Sequence, residues 1–352
     1  MSGEFTLSVV DQSPIRQGGT AADALTETVR LAQMAEGLGY SRYWVAEHHN
    51  SGSFAGTSPE ILIGQIAGAT RSIRVGSGGV MLSHYSALKV AEQFRVLESF
   101  FPGRIDLGIG RAPGSDRVTS AALAYPRTEG DINKFPQQVA DLVAYLSGTM
   151  VEENAFSSIR AQPGPDPDSL PQVWLVGSSF YSAQLAAVLG LPFSFADFFG
   201  MTSFHGADAV AVYRQEFKPS TYLSEPRVNV TLQVICAPTE EEAEYLATSR
   251  RIDRLRMALG NRQGLLPPHE AAAYPLGEAE RVYIERNTLG NIVGDPHQVR
   301  ELVVKAAERY GTTDIGIVTN CYDFQARVTS YELVASQFKL RSRVGSARQA
   351  SG

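Results

Sequence analysis

The chain has 352 residues, of which 43% are hydrophobic and 19% are charged, and this composition is typical of a globular protein. It contains no run of 18 apolar residues, which excludes a transmembrane helix. The net charge is −6 and the charges are dispersed, so the sequence lacks the clustered basic face that indicates nucleic-acid binding.

The first residues and the cysteines bear on the cellular compartment. The chain does not begin with a basic stretch followed by an apolar one, so we expect no secretory signal. Its two cysteines, Cys236 and Cys321, have neither metal-binding nor redox spacing. We therefore expect buried, unreactive thiols in a cytoplasmic protein.

Short apolar runs alternate with helical patterns along almost the whole chain. We predict eight strands, at residues 7–10, 43–46, 73–75, 105–109, 173–176, 193–196, 228–235 and 315–318. Helical segments separate them, which indicates parallel βαβ units. One predicted helix has Pro59 at its first position. Another opens with Glu240 and carries Arg250 and Arg254 farther along, a polarity that suits the helix macrodipole.

The alternation predicts the fold class α/β, as a single (β/α)8 TIM barrel over residues 1–340. We expect insertions after strands 4 and 7, at residues 112–172 and 260–294, and a disordered tail over 341–352. An open doubly wound sheet is the alternative. The barrel is favoured because residues 11–14, after the first strand, are not a glycine-rich phosphate fingerprint.

A histidine pair follows the second strand, in the segment 47–50. Active sites of such barrels lie at the strand ends, and adjacent residues point to opposite faces, so one histidine can face the barrel mouth. A metal site needs ligands from several elements, and only His84 and His205 could join, so we expect none. A loop histidine without a role is one alternative. We favour an acid/base or substrate-orienting histidine, because imidazole titrates near neutral pH.

Three glycines lie in the third strand, which continues through residues 75–81. They are Gly76, Gly78 and Gly79. Glycine inside a buried strand marks the close approach of a ligand or a bend. A flat ring lying against bare backbone would need that space, and a tight barrel corner is the alternative.

Candidate phosphate-binding residues follow the fourth and fifth strands. Arg111 has a planar, permanently charged guanidinium, although a plain surface arginine is the alternative. After the fifth strand, the hydroxyls of Ser178, Ser179 and Ser182 open a helix whose free amides could bind phosphate, although serines also simply cap helices. Strands seven and eight, where many barrels bind phosphate, end without a glycine-rich turn. We therefore expect the phosphate beside Arg111.

Taken together, these segments resemble the luciferase-like flavin monooxygenases across nearly the whole chain. The similarity is strongest at residues 43–49, 75–79, 103–111, 176–179 and 186–192. Each segment alone is weak evidence for the family. The resemblance rests on their order and on their position at successive strand ends.

The resemblance implies reduced FMN supplied by a separate reductase, molecular oxygen as co-substrate, and oxygenation of a small organic molecule. It implies that His48 is the catalytic histidine and that Gly78 and Gly79 form a non-proline cis peptide beneath the flavin. It implies a phosphate clamp built from Arg111, Ser178, Ser179 and Ser182. It also implies a homodimer and a mobile lid over residues 260–294.

The sequence departs from true light-emitting luciferases at two positions. Their reactive cysteine corresponds here to Gly110, and their acidic residue before the phosphate serine corresponds to Gly177. We therefore expect a general or biosynthetic monooxygenase rather than light emission. Four residues of the second insertion suggest an apolar substrate or else pack within the lid: Leu265, Leu266, Tyr274 and Tyr283.

Three other functions stay open from the sequence. A deazaflavin-dependent oxidoreductase could use the same barrel for hydride transfer. A non-catalytic protein could bind oxidised flavin without consuming oxygen. A metal-dependent barrel hydrolase is the third alternative.

Overall fold

Eight parallel strands close into a barrel in the computed structural model, which describes residues 4–126, 132–164, 166 and 169–342. The strands in chain order are β1 (Thr6–Asp11), β2 (Arg42–Val45), β3 (Arg74–Met81), β4 (Ile105–Gly110), β5 (Gln172–Gly177), β6 (Phe193–Asp197), β7 (Val228–Cys236), β8 (Ile292–Gly294) and β9 (Asp314–Val318). All except β8 form the barrel. It closes because β1 pairs with both β2 and β9, and β7 with both β6 and β9. The predicted (β/α)8 barrel is confirmed, and the open sheet is wrong.

Helices cover the outside of the barrel. They are α1 (Ala21–Leu38), α2 (Pro59–Ala69), α3 (Ala87–Phe100), α4 (Arg117–Ala124), α5 (Phe135–Ser147), α6 (Phe180–Leu189), α7 (Gly206–Glu216), α8 (Glu240–Ala258), α9 (Pro268–Ala272), α10 (Glu278–Thr288), α11 (Pro296–Tyr310) and α12 (Phe324–Gln337). Capping boxes at Thr20 and Asp295 begin α1 and α11. Among the described residues, no helix combines the length and the apolar character that a membrane crossing needs.

The strands separate two apolar layers. The main core lies between barrel and helices and contains the outward side chains, such as Val9, Tyr43 and Leu175. The inward side chains form a smaller cluster in which Trp44 and Trp174 meet with ring centroids 5.4 Å apart. Inward positions near the carboxyl ends of the strands are small, so space remains there.

Two long segments interrupt the barrel pattern. The segment after β4 contains α4 and α5. After β7, the chain forms α8, α9, α10 and β8 before α11 leads to β9. The residues predicted as the second insertion, 260–294, follow α8 and contain α9, α10 and β8, and α8 packs against α9 and α10. Of the predicted tail, residues 343–352 lie outside the described part.

Buried charges close the amino-terminal end of the barrel. The carboxylate of Asp106 accepts hydrogen bonds from Trp44 Nε1 at 2.9 Å and Arg74 Nε at 2.8 Å. Arg42, the first residue of β2, donates to both carboxylate oxygens of Asp314 at 3.0 Å. These contacts fill the amino-terminal end of the barrel, and the cavity described below opens at the other end.

A buried ion pair joins the first strand to the last helix at the carboxyl end. Arg327 Nη2 of α12 donates to Asp11 Oδ1 at 2.6 Å, and both side chains are almost fully buried. Thr28 of α1 and Tyr43 of β2 donate to the other carboxylate oxygen. Burial alone would raise the pKa of Asp11, but the charge of Arg327 and these hydrogen bonds bring the pKa below its usual value.

The variant Arg327→Met should lower the free energy of unfolding by about 3–5 kcal/mol, because it leaves a buried carboxylate without its cation. Urea unfolding followed by circular dichroism measures the loss. The control Arg251→Met breaks a partly exposed pair with Glu244 and should cost at most about 1 kcal/mol. Equal losses in the two variants would contradict this assignment.

Candidate active site

A cavity of about 270 Å³ lies at the carboxyl end of the barrel, and we name it the inner cavity. Seven lining residues are those singled out from the sequence: His48, Gly78, Gly79, Arg111, Ser178, Ser179 and Ser182. They follow β2, β4 and β5, lie in the second half of β3, or lie in the first turn of α6. Parallel closure brings these distant segments together, because all the strands end at one rim.

Gly78 and Gly79 line the inner cavity and also allow their strand to pack closely against its neighbours. The Gly78–Gly79 peptide bond is cis, as the family resemblance implies. A Cβ on Gly79 would lie 2.7 Å from the carbonyl oxygen of Gly108, so β3 and β4 meet backbone to backbone. A Cβ on Gly78 would lie 3.3 Å from the Cβ of Trp44. Close packing therefore requires glycine at position 79 whether or not a ligand binds.

The guanidinium of Arg111 has no carboxylate beside it. Its Cζ lies 4.0 Å from the centroid of the Tyr181 ring, a cation–π contact. Within the described ranges, Arg111 makes neither an ion pair nor a hydrogen bond. Its positive charge is therefore available to an anion in the inner cavity.

The serine turn after β5 is a helix cap and a cavity wall at once. Ser179 Oγ accepts a hydrogen bond from Ser182 N at 3.3 Å and lies 3.1 Å from Ser182 Oγ. Ser179 therefore caps α6, which is the alternative that the sequence left open. The serine hydroxyls nevertheless line the cavity. A Cβ on Gly177 would lie 2.5 Å from the Cβ of Ser182, so an acidic side chain has no room at this position.

His48 is a partly buried imidazole against Phe54, with ring centroids 4.7 Å apart. Its Nδ1 is buried and lacks a hydrogen-bond partner among the described residues. Burial, followed by the charge of Arg250, lowers the pKa of His48 to about 4. The ring is therefore neutral at pH 7 and is a weaker base than an ordinary histidine.

Glu47 fixes the loop that carries His48. It is fully buried, and its Oε1 lies 2.7 Å from His49 Nε2 and accepts a hydrogen bond from the Tyr85 hydroxyl at 2.7 Å. Its Oε2 accepts a bond from the backbone N of Met81, at the end of β3. Glu47 thus anchors β2 to β3, and His49, held by Glu47, lines the second cavity described below together with His48.

The two histidines considered as metal partners have other contacts. His84 Nε2 lies 2.7 Å from the carbonyl oxygen of Pro113, and His205 Nε2 lies 3.0 Å from that of Ser178. In the part of the chain that the structure describes, no group of three or more His, Cys, Asp or Glu side chains could bind a metal ion.

A second cavity, of about 390 Å³, adjoins the first, and we name it the outer cavity. Both are lined by Gln12, His48 and Phe199. Gln12 directly follows β1, so the rule that active sites lie at strand ends would have found it. The outer cavity also contains Arg250 and Arg254 of α8, which the sequence had suggested only as macrodipole charges.

The apolar residues of the second insertion mostly pack within it. Leu265 and Leu266 are 1% and 7% exposed, and Leu266 packs with Ile252 and Ala271. Tyr274 packs on the same cluster, whereas Tyr283 lines the outer cavity. Packing within the insertion therefore accounts for Leu266 and Tyr274, and Tyr283 is the one of these four residues that lines a cavity.

Several known proteins are similar to this chain in sequence over almost its whole length. A family model described as luciferase-like monooxygenase matches residues 4–313. The YwcH protein of Bacillus subtilis is 43% identical, over 95% of this chain and 99% of its own. The luciferase-like monooxygenase of Escherichia coli is 39% identical, over 94% and 96%. The N-acetyl-S-alkylcysteine monooxygenase of Bacillus subtilis is 37% identical, over 94% and 97%.

Solved structures extend the comparison. Apo-MsnO8 matches with a TM-score of 0.88 and 37% identity, over 97% of this chain and 100% of its own. The FMN complex of the oxygenating constituent of 3,6-diketocamphane monooxygenase has a TM-score of 0.68 at 19% identity. An F420-dependent secondary alcohol dehydrogenase has a TM-score of 0.67 at 13% identity. Each covers at least 95% of this chain, and the last two share the fold alone.

The lowered pKa of His48 predicts a pH dependence of stability. The ordinary pKa of 6.5 applies to the unfolded chain and a value of about 4 to the folded protein, so protonation favours unfolding. Stability should fall between about pH 6.5 and pH 4, by at most about 1.4 kcal/mol per pH unit. Urea unfolding at pH 7 and pH 4.5 should show a smaller fall for His48→Gln than for the wild type. The same fall in both proteins would refute the prediction.

Proposed function

This chain belongs to the luciferase-like monooxygenase family, and we propose that it oxygenates a small organic substrate with molecular oxygen and reduced FMN. Membership of the family supports an oxidoreductase of the monooxygenase class. The choice of FMN, its supply by a separate reductase, and the roles of individual residues are our proposals. They rest on the geometry of the inner cavity.

One observation carries the proposal: the strand-end residues that the sequence suggests for flavin binding line a single cavity. In that cavity a guanidinium without a carboxylate partner, Arg111, accompanies the hydroxyls of Ser178, Ser179 and Ser182. Phosphate is the anion that such an arrangement suits, because arginine and a helix N-terminus both favour it.

The walls of the inner cavity fit the remainder of FMN. Gly78, Gly79 and Gly110 present backbone without side chains, and a flat ring can lie against them. Val10, Val176 and Phe198 are apolar and exclude water from the same space. When bound, reduced FMN would supply the two electrons with which oxygen is split, one atom entering the substrate and the other leaving as water.

His48 is our proposed catalytic residue. It lies where the inner and outer cavities meet, so its ring can face both a flavin and a substrate. Because its pKa is lowered to about 4, it enters the reaction neutral and can orient the substrate through a hydrogen bond. It can act as a base where a bound ligand raises that pKa. Phe54 packs on its ring, and Glu47 holds the loop that carries it.

We also propose a separate reductase, a homodimer and a cytoplasmic location. The sequence has no dinucleotide fingerprint after its first strand, which is consistent with a reductase on another chain. In support of the homodimer, three apolar side chains on the neighbouring helices α2 and α3 are exposed to solvent: Ile61, Val96 and Phe100. Both cysteines are buried free thiols, as suits a reducing compartment.

Removal of the Arg111 guanidinium should weaken binding of reduced FMN. We expect Arg111→Ala to lose about 2–3 kcal/mol, the scale of a hydrogen bond to a charged group. An anaerobic fluorescence titration gives the dissociation constant. The control Arg117→Ala removes an exposed arginine at the start of α4, and its affinity should equal that of the wild type. Undiminished affinity in Arg111→Ala would refute the phosphate assignment.

Loss of the His48 imidazole should affect turnover rather than binding. We expect His48→Ala to lower kcat at least about 100-fold, the usual contribution of a general acid or base. Its affinity for reduced FMN should stay within about threefold of the wild type, and His269→Ala, an exposed control, should change neither. Stopped-flow turnover with a substrate found by screening measures kcat. Loss of FMN binding in His48→Ala, with normal turnover once saturated, would make the histidine structural.

A further inference from the structure

The outer cavity combines positive charge with apolar surface. Three arginines line it, Arg250 and Arg254 on α8 and Arg262 just after that helix. Arg250 and Arg254 are four residues apart, so they lie on the same face of α8. Phe54, Phe199 and Met257 supply the apolar part of the lining.

The carboxylates around the outer cavity do not balance these arginines. Arg262 pairs with Asp116 at 3.0 Å, and Arg250 pairs with Asp253 at 3.4 Å. No carboxylate in the described ranges pairs with Arg254. Three guanidinium groups therefore face two carboxylates, and one positive charge remains.

The guanidinium of Arg254 is oriented but not neutralised. It donates to the carbonyl oxygens of Phe198 and Phe199 at 3.0 and 2.9 Å, and to Asn287 Oδ1 at 3.3 Å. These neutral acceptors fix its position at the cavity wall. Burial, followed by the charge of Arg250, lowers the pKa of Arg254 to about 10, so the group stays charged at pH 7 and gains from an added anion.

We propose that the outer cavity binds the carboxylate of the substrate through Arg254 and Arg250, with an apolar portion of the substrate on Phe54, Phe199 and Met257. This inference rests on the proposed function, because it assigns the flavin to the inner cavity and the substrate to the outer one. The substrate is therefore an amphiphilic carboxylic acid, and the apolar molecule expected from the sequence is only part of it. Its carboxylate anchors it at α8 while its apolar end lies beside His48.

The test compares acids with their neutral derivatives. A panel of aliphatic and arylalkyl carboxylates of two to ten carbons is titrated against the protein by calorimetry, with and without reduced FMN, alongside the matching primary amides. We expect at least one acid to bind about tenfold or more tightly than its amide, since a charge-assisted contact contributes on this scale. Arg254→Met should abolish this preference and Arg254→Lys should retain part of it. Arg251→Met, on the same helix outside the cavity, should match the wild type.

Histidine NMR provides a readout independent of turnover. A carboxylate beside Arg250 offsets the charge that depresses the pKa of His48, so the bound acid should raise that pKa and the amide should not. Equal binding of acids and amides across the panel would overturn the inference. So would an acid preference that survives in Arg254→Met.

Binding of reduced FMN separates this inference from the proposed function. If Arg254→Met loses the acid preference and keeps its FMN affinity, the inference stands. If Arg254→Met loses FMN while Arg111→Ala keeps it, the FMN phosphate occupies the outer cavity and the inference fails. If the wild type binds acids selectively but no FMN, the carboxylate site stands and the proposed cofactor is wrong.

Discussion

The carboxylate of Asp11 accepts hydrogen bonds from four parts of the chain, and the carboxyl end of the barrel depends on it. Arg327 reaches it from α12, Thr28 from α1 and Tyr43 from β2, and its neighbour Ser13 donates a backbone hydrogen bond to it. The ion pair ties the first strand to the last helix where the barrel closes. The next residue, Gln12, lines both cavities, so the group that closes the barrel also positions the floor of the site.

The sequence predicts the barrel and the inner cavity for one physical reason. In a closed parallel sheet every strand ends at the same rim, so unusual residues after successive strands meet in space. His48, Arg111 and the serine turn follow this rule. The rule also applies to Gln12, which directly follows β1 and lines both cavities. The glycines of β3 have two explanations in the sequence, and the close approach of Gly79 to Gly108 shows that strand packing accounts for part of the pattern.

The rest of the site depends on tertiary contacts that no local pattern records. Arg250 and Arg254 fit a helix macrodipole in the sequence, and only the return of α8 over the barrel mouth brings them to the outer cavity. In the sequence Glu47 is only the residue before two histidines, whereas its burial and its hydrogen bonds to Tyr85 and Met81 make it the anchor of the loop that carries His48. In our proposal the flavin lies on one side of His48, in the inner cavity, and the carboxylic acid on the other, in the outer cavity.

The central claim is that the inner cavity binds reduced FMN for reaction with oxygen. The most direct test is an anaerobic titration of the purified protein with reduced FMN, and in parallel with a reduced deazaflavin, followed by admission of oxygen while its consumption is recorded. The account predicts saturable binding of one FMN per chain and oxygen uptake by the complex. Binding of the deazaflavin alone, or tight binding of oxidised FMN without oxygen consumption after reduction, would contradict it.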